Sequence, residues 1–538
     1  MKKVILFITG LLLLGALSCS DDNLDLMDPN RESSDTYWEK EEDYYKGLNA
    51  SYSVWRIPNY FSRFYHVLML LRSDEGYSDG PAPEWHAYGN FQLTPYNTDA
   101  TEGIRAPWIA IYRQLFYVNQ VIDNMSSRGY GIFLANAKND LEKAAKQKEA
   151  DELLGQVYFI RGVSFWYLAG TYGKGPRQVS STKDGEIIEQ EEIYKQALAD
   201  FEKAEELLKE RKSWSGEDLG RVTLGAALGM QARVHMQLAG YYKRPWVKNQ
   251  TAANTQWAEA KRTIEEVLKL NYSLVPNWVD NFTMANENNS ESIFEIQFKE
   301  GLINGKEVGA HRPKFFGLQL QSGEGAWFDG SAREWLLDEF DKELDKDGNS
   351  DLRKYYTLFY ENLNDNMKYY GKTYAEWKAG GDLAKKCYWR KYSSVDSDPS
   401  KKEDYSSGIN FRMLRLADVY LMYAEVLNEL NGDRNLAVEY INKVRRRVNM
   451  KDLDPSMYAD YNALLDQIKH ERLMELCGEC TRWLDLDRWG DIHTQEGVNQ
   501  LALRDPDFNT YTVGINHLFI IPNRELSLYP GLKQNPGY

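Results

Sequence analysis

Two cysteines separated by two residues, Cys477 and Cys480, form the motif whose spacing most directly suggests chemistry. A CxxC pair acts as a redox centre in a βαβ context, or supplies half of a zinc site when a second ligand pair is present. Neither context is found near this motif. The alternative, which we favour, is two small residues one helical turn apart without a redox or metal role.

Hydrolase and nucleotide-binding motifs are absent from the sequence. The 7 histidines are scattered without an HExxH pair, and no GxSxG, Walker or GxGxxG pattern occurs. A glycosidase needs only two carboxylates at a set separation, and nothing distinguishes such a pair among the 80 acidic residues. A surface glycosidase is therefore the least favoured hypothesis, and we predict no catalytic residue.

One polar run resembles a calcium-binding loop in part. Asp345, Asp347, Asn349 and Asp351 alternate along the chain, as oxygen ligands do in such a loop. The run lacks the Gly and Glu that an EF-hand has at its sixth and twelfth positions. A solvated turn is the favoured interpretation and a calcium site the alternative, and no other cofactor is predicted.

Aromatic residues in polar loops give the strongest positive signal. The chain has 15 Trp, 36 Tyr and 20 Phe, and Trp85, Tyr88, Trp327 and Phe328 lie among Gly, Asn and acidic residues rather than on helical faces. Sugars present an apolar C–H face and a rim of hydroxyls, which suits flat amphipathic rings beside polar groups. The alternative is that these rings cover the core.

The first residues predict export. Lys2 and Lys3 precede a short apolar run that ends in small residues before Cys19, the pattern of a secretory signal. Fourteen apolar residues rise about 21 Å as a helix, less than the ~30 Å needed to cross a bilayer. We expect residues 1–18 to be a lipoprotein signal, Cys19 to carry lipid, and residues 19–34 to form a flexible tether.

Charge limits the partners. Removal of residues 1–18 takes away two lysines and shifts the formal net charge from −15 to −17. An acidic protein is a poor partner for nucleic acid, for heparin-like glycans and for anionic membrane surfaces. We therefore predict no nucleic-acid binding, and contact with a membrane through the lipid alone.

The body is predicted to be mostly α-helical. Apolar residues recur at three- and four-residue steps, and short Gly, Asn and Asp clusters separate paired helices. Small and large apolar residues with the spacing 0, +4, +7 recur in three helices, as in the second helix of tetratricopeptide repeats. The three triplets are Ala197, Phe201, Ala204; Ala260, Ile264, Val267; and Ala437, Ile441, Val444.

Long irregular stretches separate these helices. Residues 72–107 and 300–332 are rich in aromatic, Gly and polar residues, and connections of this length usually carry function. The C-terminal stretch contains Pro522, Pro530 and Pro536 and is predicted to be extended chain rather than helix.

Several of these segments resemble one family in order along the chain. They include RGVSFWYLAGTYGKGP, GRVTLGAALGMQARVHMQLAGYY, LRLADVYLMYAEVLNELNGD, ERLMELCGECTRWLDLDRWG and IIPNRELSLYPGLKQNPGY. Together they are similar to the SusD/RagB-like family of outer-membrane nutrient-binding lipoproteins. The resemblance covers most of the chain after the tether.

The resemblance implies a fold and a role. It implies that residues 35–538 form a SusD-like body of tetratricopeptide-like helix pairs supporting a loop-rich, irregular ligand-binding half. Within that body, most repeat-like helices lie in 35–280, and 281–538 is the RagB/SusD part. The implied role is non-enzymatic: the protein captures an oligosaccharide at the cell surface and passes it to a SusC-like TonB-dependent transporter. Peptide or protein binding by the same architecture is the alternative.

The resemblance also locates the binding residues. Family glycan sites use an arc of aromatic residues from the two loop regions, which places Trp85 and Trp327 in it. The predicted glycan-binding residues are Arg72, Asp74, Trp85, Tyr88, Asn90, Trp327 and Phe328.

Overall fold

The computed structural model describes residues 37–78, 83–94, 102–303, 306–317, 330–362, 367–369, 371–381, 383, 385–393 and 407–538. The predicted signal, the tether and Cys19 lie outside these residues, so those expectations stay predictions. Within the described ranges, no helix combines the length and apolar character needed to span a membrane.

Helices make up most of the described chain and confirm the predicted fold class. In chain order they are α1 (Glu41–Val54), α2 (Phe64–Arg72), α3 (Pro83–Gly89), α4 (Glu102–Asn124), α5 (Tyr130–Leu134), α6 (Asp140–Thr171), α7 (Gln190–Leu208), α8 (Leu224–Lys243), α9 (Gln250–Leu268), α10 (Arg312–Phe316), α11 (Trp335–Phe340), α12 (Leu352–Thr357), α13 (Tyr374–Ala379), α14 (Leu416–Glu429), α15 (Arg434–Arg447), α16 (Tyr461–Leu476), α17 (Arg482–Trp489), α18 (Gln495–Ala502) and α19 (Asn523–Leu528).

The strands are short, and some pairs are local hairpins while others join segments that are distant in sequence. They are β1 (Gly76–Tyr77), β2 (Lys174–Pro176), β3 (Ile187–Glu189), β4 (Ser292–Ile296), β5 (Leu302–Ile303), β6 (Lys306–Glu307), β7 (Ser331–Ala332), β8 (Leu358–Tyr360), β9 (Lys368–Tyr369), β10 (Lys372–Thr373), β11 (Cys387–Trp389) and β12 (Phe411–Arg415). Each described sheet is one antiparallel pair: β1 with β7, β2 with β3, β4 with β12, β5 with β6, β8 with β11, and β9 with β10.

The long helices pair as predicted: α6 with α7, α8 with α9, and α14 with α15, and α1 packs on α4. Side-chain caps define where these helices begin. Thr223 accepts from the N–H of Ala226 before α8, and Asp433 accepts from the N–H of Leu436 before α15. Such caps satisfy N–H groups that have no partner within the helix. In the turn before α15, Asn431 rather than Gly432 adopts the left-handed conformation, with φ of 50°.

The three predicted triplets lie in the second helix of each pair, α7, α9 and α15, and all nine side chains are fully buried. Close approach within a pair depends on a small residue in the first helix. A Cβ at Gly162 of α6 would lie 2.8 Å from the ring of Phe201 on α7. Glycine at this position therefore makes room for the central aromatic residue of the triplet.

Buried charges hold the C-terminal half together. The carboxylate of Glu475 on α16 accepts from Arg353 at 3.0 Å and Arg415 at 2.5 Å and also pairs with Arg447. Burial alone would raise the pKa of Glu475, but the guanidinium groups of Arg447, Arg415 and Arg353 hold it well below its usual value. The network joins α12, β12 and the end of α15 to α16.

The C-terminal stretch corrects one sequence expectation. Asn523–Leu528 forms the short helix α19, although proline-rich extended chain was predicted. Pro522 occupies the N-cap, where the absence of an N–H costs nothing because the first helical N–H groups lack intrahelical partners.

The CxxC motif lies past the end of α16 rather than on one helical turn. Cys477 is the C-cap of α16, and Cys480 has a positive φ of 67°. Both thiols are free and buried, and burial raises the pKa of Cys480 to about 12, which makes it a poor nucleophile near neutral pH. Neighbouring Glu75 is also buried, which raises its pKa to about 8 against the lowering effect of Arg482.

Replacing Phe201 tests the packing of the repeats. Because its side chain is fully buried against Gly162, Phe201→Ala should lower the unfolding free energy by about 3–5 kcal/mol. Phe116→Ala is the matched control, since Phe116 is 49% exposed on α4, and should change it by less than about 1 kcal/mol. Chemical denaturation of both variants measures the difference. Equal effects would contradict the proposed packing.

Replacing Glu75 tests the buried carboxyl. Folding raises its pKa from 4.5 to about 8, so the folded state holds this proton more tightly than the unfolded chain. The protonated carboxyl of Glu75 contributes fully to the stability of the folded state below pH 4.5, and this contribution is lost as the pH rises towards 8. Glu75→Gln cannot ionise, so its stability relative to wild type should increase by about 2 kcal/mol or more between pH 4.5 and 8. Melting curves across this range measure the difference, and a constant difference would show that Glu75 ionises normally.

Candidate functional site

The two loop regions singled out from the sequence meet at one strand pair. β1 pairs with β7 in antiparallel register, Gly76 opposite Ala332 and Tyr77 opposite Ser331. The regions 72–107 and 300–332 are thereby brought together, and the paired residues Gly76 and Ala332 are 256 positions apart. We call the surface formed by β1, β7, Arg333, Trp335 and Lys385 the loop junction.

Lys385 joins a third segment to this strand pair. Its Nζ donates to the Tyr77 hydroxyl at 2.8 Å and to Ser331 Oγ at 3.1 Å, and it lies 4.4 Å from the centroid of the Tyr77 ring. Partial burial lowers the pKa of Lys385 to about 8. An ammonium group with such a pKa stays mostly charged at pH 7 and loses its charge as the pH rises through about 8, and in either form it donates hydrogen bonds to hydroxyl groups.

Arg333 and Trp335 complete the described part of the junction, and Arg504 packs against it. Arg333 lies 4.3 Å from the centroid of the Tyr77 ring and pairs with Asp505 and Asp507. Half-buried Trp335 donates from Nε1 to the carbonyl oxygen of Asp74 at 2.7 Å, and Arg504 lies 4.6 Å from its ring centroid. The junction thus combines amphipathic rings with donors and acceptors, which is a chemistry suited to a polyhydroxylated ligand.

Arg72 supports the junction from beneath and does not face a ligand in this structure. Its side chain is fully buried, and Nη2 donates to the carbonyl oxygens of Asn516 at 2.7 Å and Leu518 at 3.3 Å. The guanidinium also lies 4.7 Å from the ring centroid of Phe91. The prediction that Arg72 contacts ligand is corrected, because its donors join the C-terminal segment to α2.

Asp74 is corrected for the same reason. It is fully buried and accepts from Arg482 at 2.8 and 2.9 Å, with Arg504 as a second partner. Burial opposes ionisation, but these two arginines outweigh it and hold the pKa of Asp74 well below its ordinary value. A carboxylate with all its partners inside the protein orients β1 and offers nothing to a ligand.

Trp85 and Tyr88 lie on α3 and point inward. Trp85 is 4% exposed, with its ring 5.8 Å from that of Phe64, and a Cβ at Gly103 would collide with it. Tyr88 is 1% exposed, and its hydroxyl donates to the carbonyl oxygen of Leu68 at 3.4 Å. The prediction that these rings stack on ligand is corrected, because both side chains pack in the core. The helix that directs them inward has only seven residues, which is too short for a clear helical period in the sequence.

The other predicted glycan-binding residues remain candidates. Asn90 is half-buried after the end of α3, where its backbone N–H donates to the carbonyl oxygen of His86 at 3.0 Å. Trp327 and Phe328 lie outside the described residues. Tyr77, Arg333, Trp335 and Lys385 were not singled out from the sequence. No local pattern could have indicated them, because their contacts join segments up to 308 positions apart.

The predicted calcium ligands do not converge on one point. The carboxylate of Asp345 accepts from the backbone N–H groups of Asp347 at 2.9 Å and Asn349 at 2.8 Å, which organises a turn. The carboxylate of Asp351 instead binds the guanidinium of Arg353. In the part of the chain that the structure describes, no three acidic, His or Cys residues are grouped as a metal site would require. The arrangement gives the calcium hypothesis no support.

Comparisons with known proteins agree with this architecture. Residues 238–538 match the model of the SusD family, and residues 84–236 match a model described as starch-binding associating with outer membrane. The SusD-like protein P25 of Formosa agariphila is 26% identical, with 84% of this chain and 83% of that protein covered.

Solved structures are similar over almost the whole chain. A SusD superfamily protein from Bacteroides vulgatus has a TM-score of 0.74 and 23% identity, covering 94% of this chain and 100% of that one. Surface glycan-binding protein A from Bacteroides thetaiotaomicron, in complex with laminarihexaose, has a TM-score of 0.70 and 19% identity, covering 92% and 99%. The family match spans more than half of the sequence, and the chain belongs to the SusD family.

Proposed function

We propose that this protein is a cell-surface glycan-binding lipoprotein that captures an oligosaccharide and passes it to a TonB-dependent outer-membrane transporter. The observation that carries the proposal is the β1–β7 pair, which brings two aromatic loop regions of a SusD-family chain to one place. In this proposal the helix pairs are the support and the loop junction is the base of the binding site.

The chemistry of the junction supports a sugar ligand. Lys385 and Arg333 supply donors, Asp507 supplies an acceptor, and the half-buried rings of Tyr77 and Trp335 supply apolar surface beside them. Sugars need this combination, because each hydroxyl both donates and accepts while the ring C–H groups pack on aromatic faces. Trp327, Phe328 and Asn90 are the further residues that we propose to contact the ligand.

Known relatives support the same ligand class. A structure with this fold is a surface glycan-binding protein holding laminarihexaose, and the N-terminal family match is described as starch-binding associating with outer membrane. We propose that the present chain likewise binds an oligosaccharide at the outer membrane, where lipid on Cys19 tethers it beside a SusC-like transporter. The role is capture and transfer, without catalysis.

Two substitutions, one of them at the junction, test glycan binding. Trp327→Ala removes a proposed stacking ring, and Lys385→Gln removes the ammonium that joins Tyr77 to Ser331. For any oligosaccharide that wild type binds in calorimetry against a glycan panel, each variant should bind at least tenfold more weakly, a loss of about 1.4 kcal/mol. Trp246→Ala is the matched control, because Trp246 is 49% exposed and contacts His493 and His517 instead of the junction.

The same panel separates the competing functions. Failure with every glycan, together with binding to peptides, would favour the peptide-binding alternative. Product formation that a single carboxylate substitution abolishes would favour a glycosidase. Equal binding by wild type, Trp327→Ala and Lys385→Gln would place the sugar elsewhere on the molecule.

Replacing Cys19 tests the tether. Cys19→Ala removes the thiol that we propose carries lipid, so the folded protein should no longer fractionate with the outer membrane. Its affinity for oligosaccharide should equal that of wild type, since the tether is separate from the junction. Membrane fractionation and calorimetry measure the two properties. A variant that stays in the membrane fraction would show that the protein is held there by something other than this lipid.

A further inference from the structure

A polar groove away from the loop junction consists of two adjoining cavities of about 250 and 370 Å³. The loop between α7 and α8 divides them, and Leu219, Gly220, Arg221 and Glu295 contribute to both. The groove is enclosed by the end of α1, the end of α9 and strand β4. None of its lining residues belongs to the junction.

The smaller cavity combines aromatic and amide side chains. Trp214 is held in place because its Nε1 donates to the carbonyl oxygen of Val222 at 2.8 Å and the guanidinium of Arg211 lies 4.1 Å from its ring centroid. Opposite lie the half-buried Tyr272 and the exposed amide of Asn271. A fixed amphipathic ring beside a free amide is a surface that hydroxyl-rich ligands use.

The larger cavity contains an uncompensated cation. Arg56 lines it, and among the described residues no carboxylate pairs with its guanidinium. Burial, with no acidic neighbour to oppose it, lowers the pKa of Arg56. A partly desolvated guanidinium that lacks a counter-ion is costly unless something else supplies an anion.

The other charges of the groove are only partly compensated. Arg221 binds Asp218 at 2.6 Å, and Glu295 pairs with Arg412 at 3.2 Å. The exposed Lys212 lines the smaller cavity and the exposed Glu217 lines the larger one, and neither forms an ion pair among the described residues. The amides of Asn288 and Gln297 donate to each other at 3.0 Å and hold the groove floor rigid. Arg56 is thus the half-buried lining cation whose charge has no ion pair within the described residues.

We propose that this groove is a second saccharide site, which binds a sugar carrying a carboxylate or sulfate group. The anion binds the guanidinium of Arg56, and a neighbouring sugar ring packs on Trp214 and Tyr272. The inference rests on the proposed function in taking the ligand to be a glycan, but it uses none of the junction residues. The net charge of −15 favours a ligand with one or a few acidic groups over a dense polyanion.

Calorimetry with the full chain and three probes tests the site. The probes are digalacturonate for the carboxylate, a singly sulfated carrageenan disaccharide for the sulfate, and laminarihexaose as the neutral control. Arg56→Gln should lower affinity for the bound acidic probe at least tenfold and leave laminarihexaose unaffected. Trp214→Ala should lower the affinity for the same acidic probe. Arg113→Gln, at an exposed arginine on α4, is the charge-matched control and should bind as wild type does.

The outcomes separate this inference from the proposed function. Comparison of the two acidic probes identifies whether the groove takes carboxylate or sulfate. Equal binding of the acidic probe by wild type and Arg56→Gln would overturn the inference, and so would binding of neutral glycans alone. Failure of every glycan in the full panel would contradict the proposed function as well.

Discussion

Charged side chains buried against one another tie the C-terminal half of this molecule into one body, and Glu475 is their centre. Its carboxylate is bound by arginines from α12, β12 and α15, so one side chain fixes the relative positions of four elements. Removing one member of such a set leaves another charge buried without compensation, which costs far more than a surface ion pair contributes. The junction rests on a smaller version of the same device, in which Arg482 and Arg504 hold Asp74.

The sequence could be interpreted correctly where burial leaves a regular pattern of residues along the chain. The helix pairs were predictable because burial of one helical face imposes a local period, and all three triplets lie at the expected buried positions. The segment ERLMELCGECTRWLDLDRWG indicated the family, yet all eight of its charged residues are buried in the structure: Glu471, Arg472, Glu475, Glu479, Arg482, Asp485, Asp487 and Arg488. The family signature therefore reflects the scaffold and carries no information about the ligand.

The candidate site was harder to predict, because polar and aromatic residues in an irregular stretch have no period. Arg72 and Asp74 are next to the correct loop but face inward, and their partners lie more than 400 positions later in the chain. Trp85 and Tyr88 are buried because they lie on a helix of two turns, and the residue composition of this stretch does not indicate a helix. Tyr77 and Lys385 gain their importance only from the fold, which places residues of three segments within hydrogen-bonding distance.

The β1–β7 pair contains only two residues on each strand, and its brevity matters for how such a protein can diversify. Two backbone pairings fix where each loop leaves the body but impose nothing on the length or sequence of the loop itself. Insertions directly after Tyr77 or directly before Ser331 can therefore accumulate without disturbing the helix pairs or the buried charges. The strand pair is a fixed attachment point, so evolution or protein engineering can introduce new recognition loops there while the supporting body stays the same.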